Sequence, residues 1–137
     1  MKEILFRGKT RDGKWIESCS VFMRGELALM LNERPIKEVI KDKNGEPVDV
    51  IFSFCSVEKN TVGQFTGLTD KKGKKVYVGD IIKASNNFYS YTVFVRECKV
   101  CIEDKYGNAI RPTNEALKHF ECEVIGTVFD RESDNGD

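Results

Sequence analysis

The chain has 137 residues, with 22 Lys plus Arg against 22 Asp plus Glu. Its 40% apolar and 32% charged content supports a folded core and excludes disorder driven by net charge. The even balance argues against a dedicated polyanion binder, and no apolar run approaches the ~18 residues of a membrane span.

In chain order, Ile4-Leu5-Phe6-Arg7 and Lys14-Trp15-Ile16-Glu17 read as strands around the turn Arg11-Asp12-Gly13-Lys14. Glu26–Leu31 reads as one turn of helix confined by Gly25 and Pro35. Glu38-Val39-Ile40-Lys41 and Val48-Asp49-Val50-Ile51-Phe52 flank the turn Asp42-Lys43-Asn44-Gly45. The polar stretch Glu58-Lys59-Asn60-Thr61 then separates two groups of strands, and its shortness predicts two lobes in contact. The expected division is residues 1–61, 62–130 and a frayed tail at 131–137 with no apolar anchor.

Beyond the division, Asp70-Lys71-Lys72-Gly73 and Asp104-Lys105-Tyr106-Gly107 repeat the D-K-x-G form of the Asp42 turn. Asp at the first position caps the backbone, and Gly at the fourth takes the left-handed conformation that closes a bulged hairpin. Around these turns, Val76-Tyr77-Val78, Thr92-Val93-Phe94-Val95 and Lys99-Val100-Cys101-Ile102 are rich in β-branched and aromatic residues. Thr113–Phe120 has a capping residue and an apolar pair at Leu117 and Phe120, which predicts a two-turn helix. Glu123–Phe129 reads as a last strand in which Gly126 marks a bulge or bend.

Residues 62–82 carry the most specific pattern. Phe65-Thr66-Gly67-Leu68, Asp70, Gly73-Lys74, Val76-Tyr77 and Gly79-Asp80-Ile81-Ile82 follow one another as strand, turn, returning strand and a Gly-Asp turn into a further strand. This run resembles the hallmark of the YopX family of small phage and prophage proteins. Ile4-Leu5-Phe6-Arg7 is similar to the family's start, and Glu123-Val124-Ile125-Gly126 to its close, so the matches bracket nearly the whole chain. The close departs from the pattern: Thr127 stands where Asn is common, and Arg131-Glu132-Ser133 replaces a Pro-Glu-Leu-Leu-type end. The resemblance implies a phage or prophage context and a mostly β fold. It transfers no catalytic residues.

Three chemistries deserve weighing. Cys98-x-x-Cys101 with His119-x-x-Cys122 has a spacing near that of a zinc ribbon, which would make a zinc-stabilised C-terminal module. Against it, residues three apart in a strand point to opposite faces, and Lys99-Val100 offers no Gly-rich turn. The alternative is that these cysteines act as small hydrophobes in the core. Lys71, Lys72, Lys74 and Lys75 crowd one hairpin beside Tyr77, with Phe88, Tyr89 and Tyr91 nearby, a pattern that could track a nucleic acid strand and stack its bases. The alternative is a solvated tip whose lysines protect an edge. Catalysis finds little support: His119 is the one histidine, no carboxylate pair stands out, and no phosphate-cradling glycine motif is present.

The charges are also unevenly placed. Residues 63–99 carry seven basic and three acidic side chains, and residues 100–137 carry four and nine. Such a dipole favours contacts between copies or with a charged partner. Five cysteines, an odd number, fit a reducing compartment, and the Met1-Lys2-Glu3 start lacks a secretory core. The expectation is a cytoplasmic, non-enzymatic, mainly β protein with no cofactor and no membrane partner. Its N-terminal hairpin-rich lobe would pack on a C-terminal SH3-like barrel with one short helix. It would act by contact with host or phage proteins or as a homo-oligomer, with nucleic acid as the alternative partner.

Overall fold

A computed structural model describes residues 4–85 and 90–130. The chain is mainly β, and its described residues divide into two compact units, 4–62 and 63–130 without the undescribed 86–89.

In the first unit, β1 (Phe6–Lys9) and β2 (Trp15–Ser18) form a hairpin in which Lys9 opposes Trp15. Thr10 does at its turn what Asp does in the D-K-x-G turns: its Oγ1 accepts from the Lys14 amide at 2.9 Å. The strands β3 (Val21–Arg24), β4 (Leu27–Lys41) and β5 (Pro47–Glu58) make a three-stranded antiparallel sheet. The expected helical turn at Glu26–Leu31 is instead the start of β4. Gly25, at φ 61, allows a two-residue turn that sets Arg24 opposite Leu27. Alternation then sends Ala28 and Met30 inward, where both are fully buried with Val57.

A wide irregularity divides the β4–β5 ribbon. Leu31 pairs with Phe54, but the next paired residue of β4 is Ile36, opposite Phe52. Pro35 falls in this gap, where its missing N–H costs no ladder bond. Below the gap the ribbon walls the core; above it, the arm from Ile36 to Phe52 stands in solvent.

In the second unit, β6 (Gly63–Thr69) pairs with β7 (Lys75–Tyr77). The Thr-Gly-Leu motif is a bulge in this hairpin. The Thr66 hydroxyl donates to the Val76 carbonyl at 2.7 Å and accepts from the Leu68 amide, while Gly67 takes φ 85. The remaining strands are β8 (Asp80–Lys83), β9 (Ser90–Arg96), β10 (Lys99–Glu103), β11 (Ala109–Ile110) and β12 (Glu123–Thr127). They form an antiparallel sheet in the order β11-β10-β9-β8-β12.

The helix α1 (Asn114–His119) lies where the capping signal placed it, and the Thr113 hydroxyl accepts from the Ala116 amide at 3.0 Å. Its Leu117 joins Ile82, Val93, Ile102 and Val124 in the core of this unit. The sheet does not close into a barrel among the described residues. One edge, β11, is two residues long and is followed by Arg111-Pro112, so it offers no ladder on which β12 could close.

Candidate contact surface and the fate of the sequence candidates

The three D-K-x-G turns share one set of bonds. In each, the Asp Oδ1 accepts from the amides two and four residues on, at 2.9–3.0 Å. Gly45, Gly73 and Gly107 stand at φ 80–85 in the position that closes each turn. Asp70 adds a long-range bond, because its Oδ2 accepts from the Val124 amide at 3.0 Å. Burial opposes its ionisation, but the amides of Val124, Lys74 and Lys72 outweigh that and hold its carboxyl below the ordinary range.

The lysine-rich hairpin is partly spoken for. Lys72 Nζ lies 2.8 Å from Glu123 and Lys71 Nζ lies 3.6 Å from the same carboxylate. The bond to Lys72 lowers the Glu123 pKa and raises that of Lys72. Lys75 lies over the Phe65 ring at 6.0 Å, and Lys74 is exposed. Tyr77 is 4% exposed, its ring 5.7 Å from that of Phe65, so it does not present a stacking face at the surface. Phe88 and Tyr89 lie outside the described residues. Tyr91 is half-buried against the core.

The cysteines and the histidine are dispersed. Cys98 is exposed at the β9–β10 turn, not in a strand as the pattern Lys99–Ile102 suggested for its neighbours. Glu97 and Cys98 form that turn with φ 53 and 63, setting Arg96 opposite Lys99. Cys101 is half-buried on β10, and Cys122 is buried, which pushes its thiol pKa up. His119 is exposed and sits edge-on to Phe120 at 4.9 Å. Among the described residues, no three His, Cys, Asp or Glu side chains gather as a metal site. Nor, among those residues, is any helix long and apolar enough to cross a membrane.

An exposed apolar feature among the described residues was not singled out from the sequence. It runs along one face of β3–β5. Register sets Phe54 opposite Leu31, Phe52 opposite Ile36 and Val50 opposite Val39, so alternate residues of β5 share this face. Phe54 meets Phe22 of β3 edge-on at 5.6 Å and Phe52 at 6.5 Å. Phe22 is 55% exposed, Ile36 55%, Phe52 50% and Val39 41%. The opposite face of the arm also exposes Ile40 and Ile51. Core formation cannot account for apolar rows on both faces of a ribbon that leaves the core. The legible signal was the run Val48–Phe54, where apolar residues occupy both parities.

These features define a mainly β protein of two units, the first of which exposes an apolar, partly aromatic strip. The chain belongs to the YopX family: the family model for the YopX protein matches residues 6–132, nearly its full length. No curated protein matches the chain.

Proposed function

We propose that this protein is a non-enzymatic phage or prophage accessory protein that acts through protein contact, and that the Phe22–Phe52–Ile36 face of the β3–β5 sheet is its contact surface. One observation carries the reading: aromatic and β-branched side chains form a continuous exposed strip on a ribbon that extends beyond its own core. Large exposed apolar patches with aromatic anchors are typical of association sites. Family membership supports the phage setting.

The first occupant of the strip is a second copy of the chain, assembling in the cytoplasm. Residues 33–49 carry four basic and five acidic side chains, interspersed. An arm of nearly zero net charge does not repel its copy, whereas a single-signed arm would. The lysine-rich hairpin supports a nucleic-acid reading less well, because Lys71 and Lys72 already face Glu123.

Light scattering over a range of concentrations tests the reading. The expected mass is a multiple of the 15.6 kDa chain, and Val39→Lys with Phe52→Lys should return it to one chain. A single-chain mass at the highest concentration would remove self-association, and a pull-down unaffected by the two substitutions would remove the strip as a contact surface.

A further inference from the structure

The second unit contains a cavity of about 320 Å³ between α1 and the sheet. Its lining includes Ala84, Tyr91, Ala116 and Cys122, with Ile110 and Phe120 among the walls. Ala84 and Cys122 are buried, whereas Ile110 is 57% and Phe120 53% exposed, so the space opens to solvent between two apolar lips.

An apolar recess of this size would shrink by collapse of its walls unless something held them apart. Polar bonds at both ends of α1 do so. Asn114 Oδ1 accepts from the Thr69 amide at 3.0 Å. Beyond the other end, the Cys122 amide donates to the Leu117 carbonyl at 2.8 Å, and the Cys122 carbonyl accepts from the Lys71 amide at 2.9 Å. The helix is thus held by its termini. The small side chains of Ala84, Ala116 and Cys122, from three separate segments, leave a space beneath it that no described side chain fills.

We propose that this cavity binds one small, uncharged aromatic molecule. The volume is at the lower end of the range for ligand sites, enough for a single compact ring system. Among the described residues no Asp, Glu, Lys, Arg or His lines it, so a charged group entering it would lose its hydration without gaining a partner there. The lining matches a neutral ligand in charge, and burial keeps the Cys122 thiol protonated. The site lies within the second unit and does not depend on the contact surface of the first.

Titration of the intact chain with indole, followed by methyl NMR and thermal unfolding, tests the proposal. Saturable shifts are expected at the methyls of Ala84, Ala116, Ile102 and Ile110, with a Tm that rises with indole concentration. Ala116→Leu should fill the space and abolish the shifts while keeping the circular dichroism of the parent. Should that variant not fold, Ala84→Val provides the same blockade from the sheet side. Indole-3-carboxylate should bind at least about tenfold more weakly, because its charge must be desolvated. Three results would each overturn the proposal: no saturable shift up to the solubility of indole, shifts unchanged in a folded blocking variant, or equal binding of the carboxylate.

Discussion

The Asp70 carboxylate accepts a hydrogen bond from the Val124 amide at 3.0 Å, across 54 positions of sequence. It thereby ties the turn between β6 and β7 to the start of β12. The same side chain holds the Lys72 and Lys74 amides, so one residue closes a local turn and fixes a long-range contact. Asp42 and Asp104 make the local bonds alone.

Replacing Asp70 by Asn should therefore cost more than the same change at Asp42. An amide keeps one acceptor oxygen and turns an N–H₂ toward a backbone donor. A loss of about 1–3 kcal/mol is expected for Asp70→Asn, and under about 1 kcal/mol for Asp42→Asn, by urea denaturation.

The folded pKa of Asp70 lies below its ordinary value of 3.8, so the folded state favours the ionised form. The stability this provides is complete above the unfolded pKa, near 4, and is lost as pH falls through the folded pKa. Stability measured from pH 5 down to pH 2 should decline in the parent, and the decline should be shallower in Asp70→Asn. Parallel curves would refute the assignment.

Gly79 stands at φ 98, and a Cβ built there would come within 2.9 Å of the Phe129 ring. Its amide also donates to the Val93 carbonyl at 2.9 Å, so the backbone has little room to move. Gly79→Ala combines left-handed strain with overpacking and should cost about 2–4 kcal/mol, read as a lower denaturant midpoint. Gly45→Ala meets open space at φ 80 and should cost less, about 1 kcal/mol.

The β9–β10 turn runs the opposite way. Glu97 and Cys98 both adopt positive φ, where Asn and Gly are preferred. Glu97→Asn with Cys98→Gly should stabilise the chain by about 1 kcal/mol. A lower midpoint in the double variant would contradict this geometry.

Thiol labelling offers a check that needs no variant. Cys19 and Cys98 are exposed and should react first with a thiol reagent, whereas Cys122 is buried with a raised pKa and should react more slowly. Equal rates at Cys122 and Cys98 would contradict this burial.

Local chemistry was written in the sequence wherever neighbouring residues decided it. The D-K-x-G turns and the cap at Thr113 each depend on a few residues within one turn, and their residue types state the bonds they make. The β9–β10 turn escaped because Arg96-Glu97-Cys98-Lys99 carries no turn residue, and pairing of the strands on either side imposes the conformation instead. The helical turn expected at Glu26–Leu31 gave way for a related reason: a run of apolar residues five long fits either element, and pairing with β3 and β5 selected the strand.

A mainly β chain, its hairpin turns, its short helix and its kinship with the YopX family were legible in the residues. Which side chains lie together was not. Tyr77, read beside four lysines as a stacking aromatic, is buried; Phe22, Phe52 and Ile36, which no sequence pattern singled out, stand in solvent on one face. Turn formation is a short-range matter of φ, ψ and one or two hydrogen bonds. Burial depends on which strands pair and where a ribbon leaves its core, and that is fixed by contacts between residues far apart in the chain.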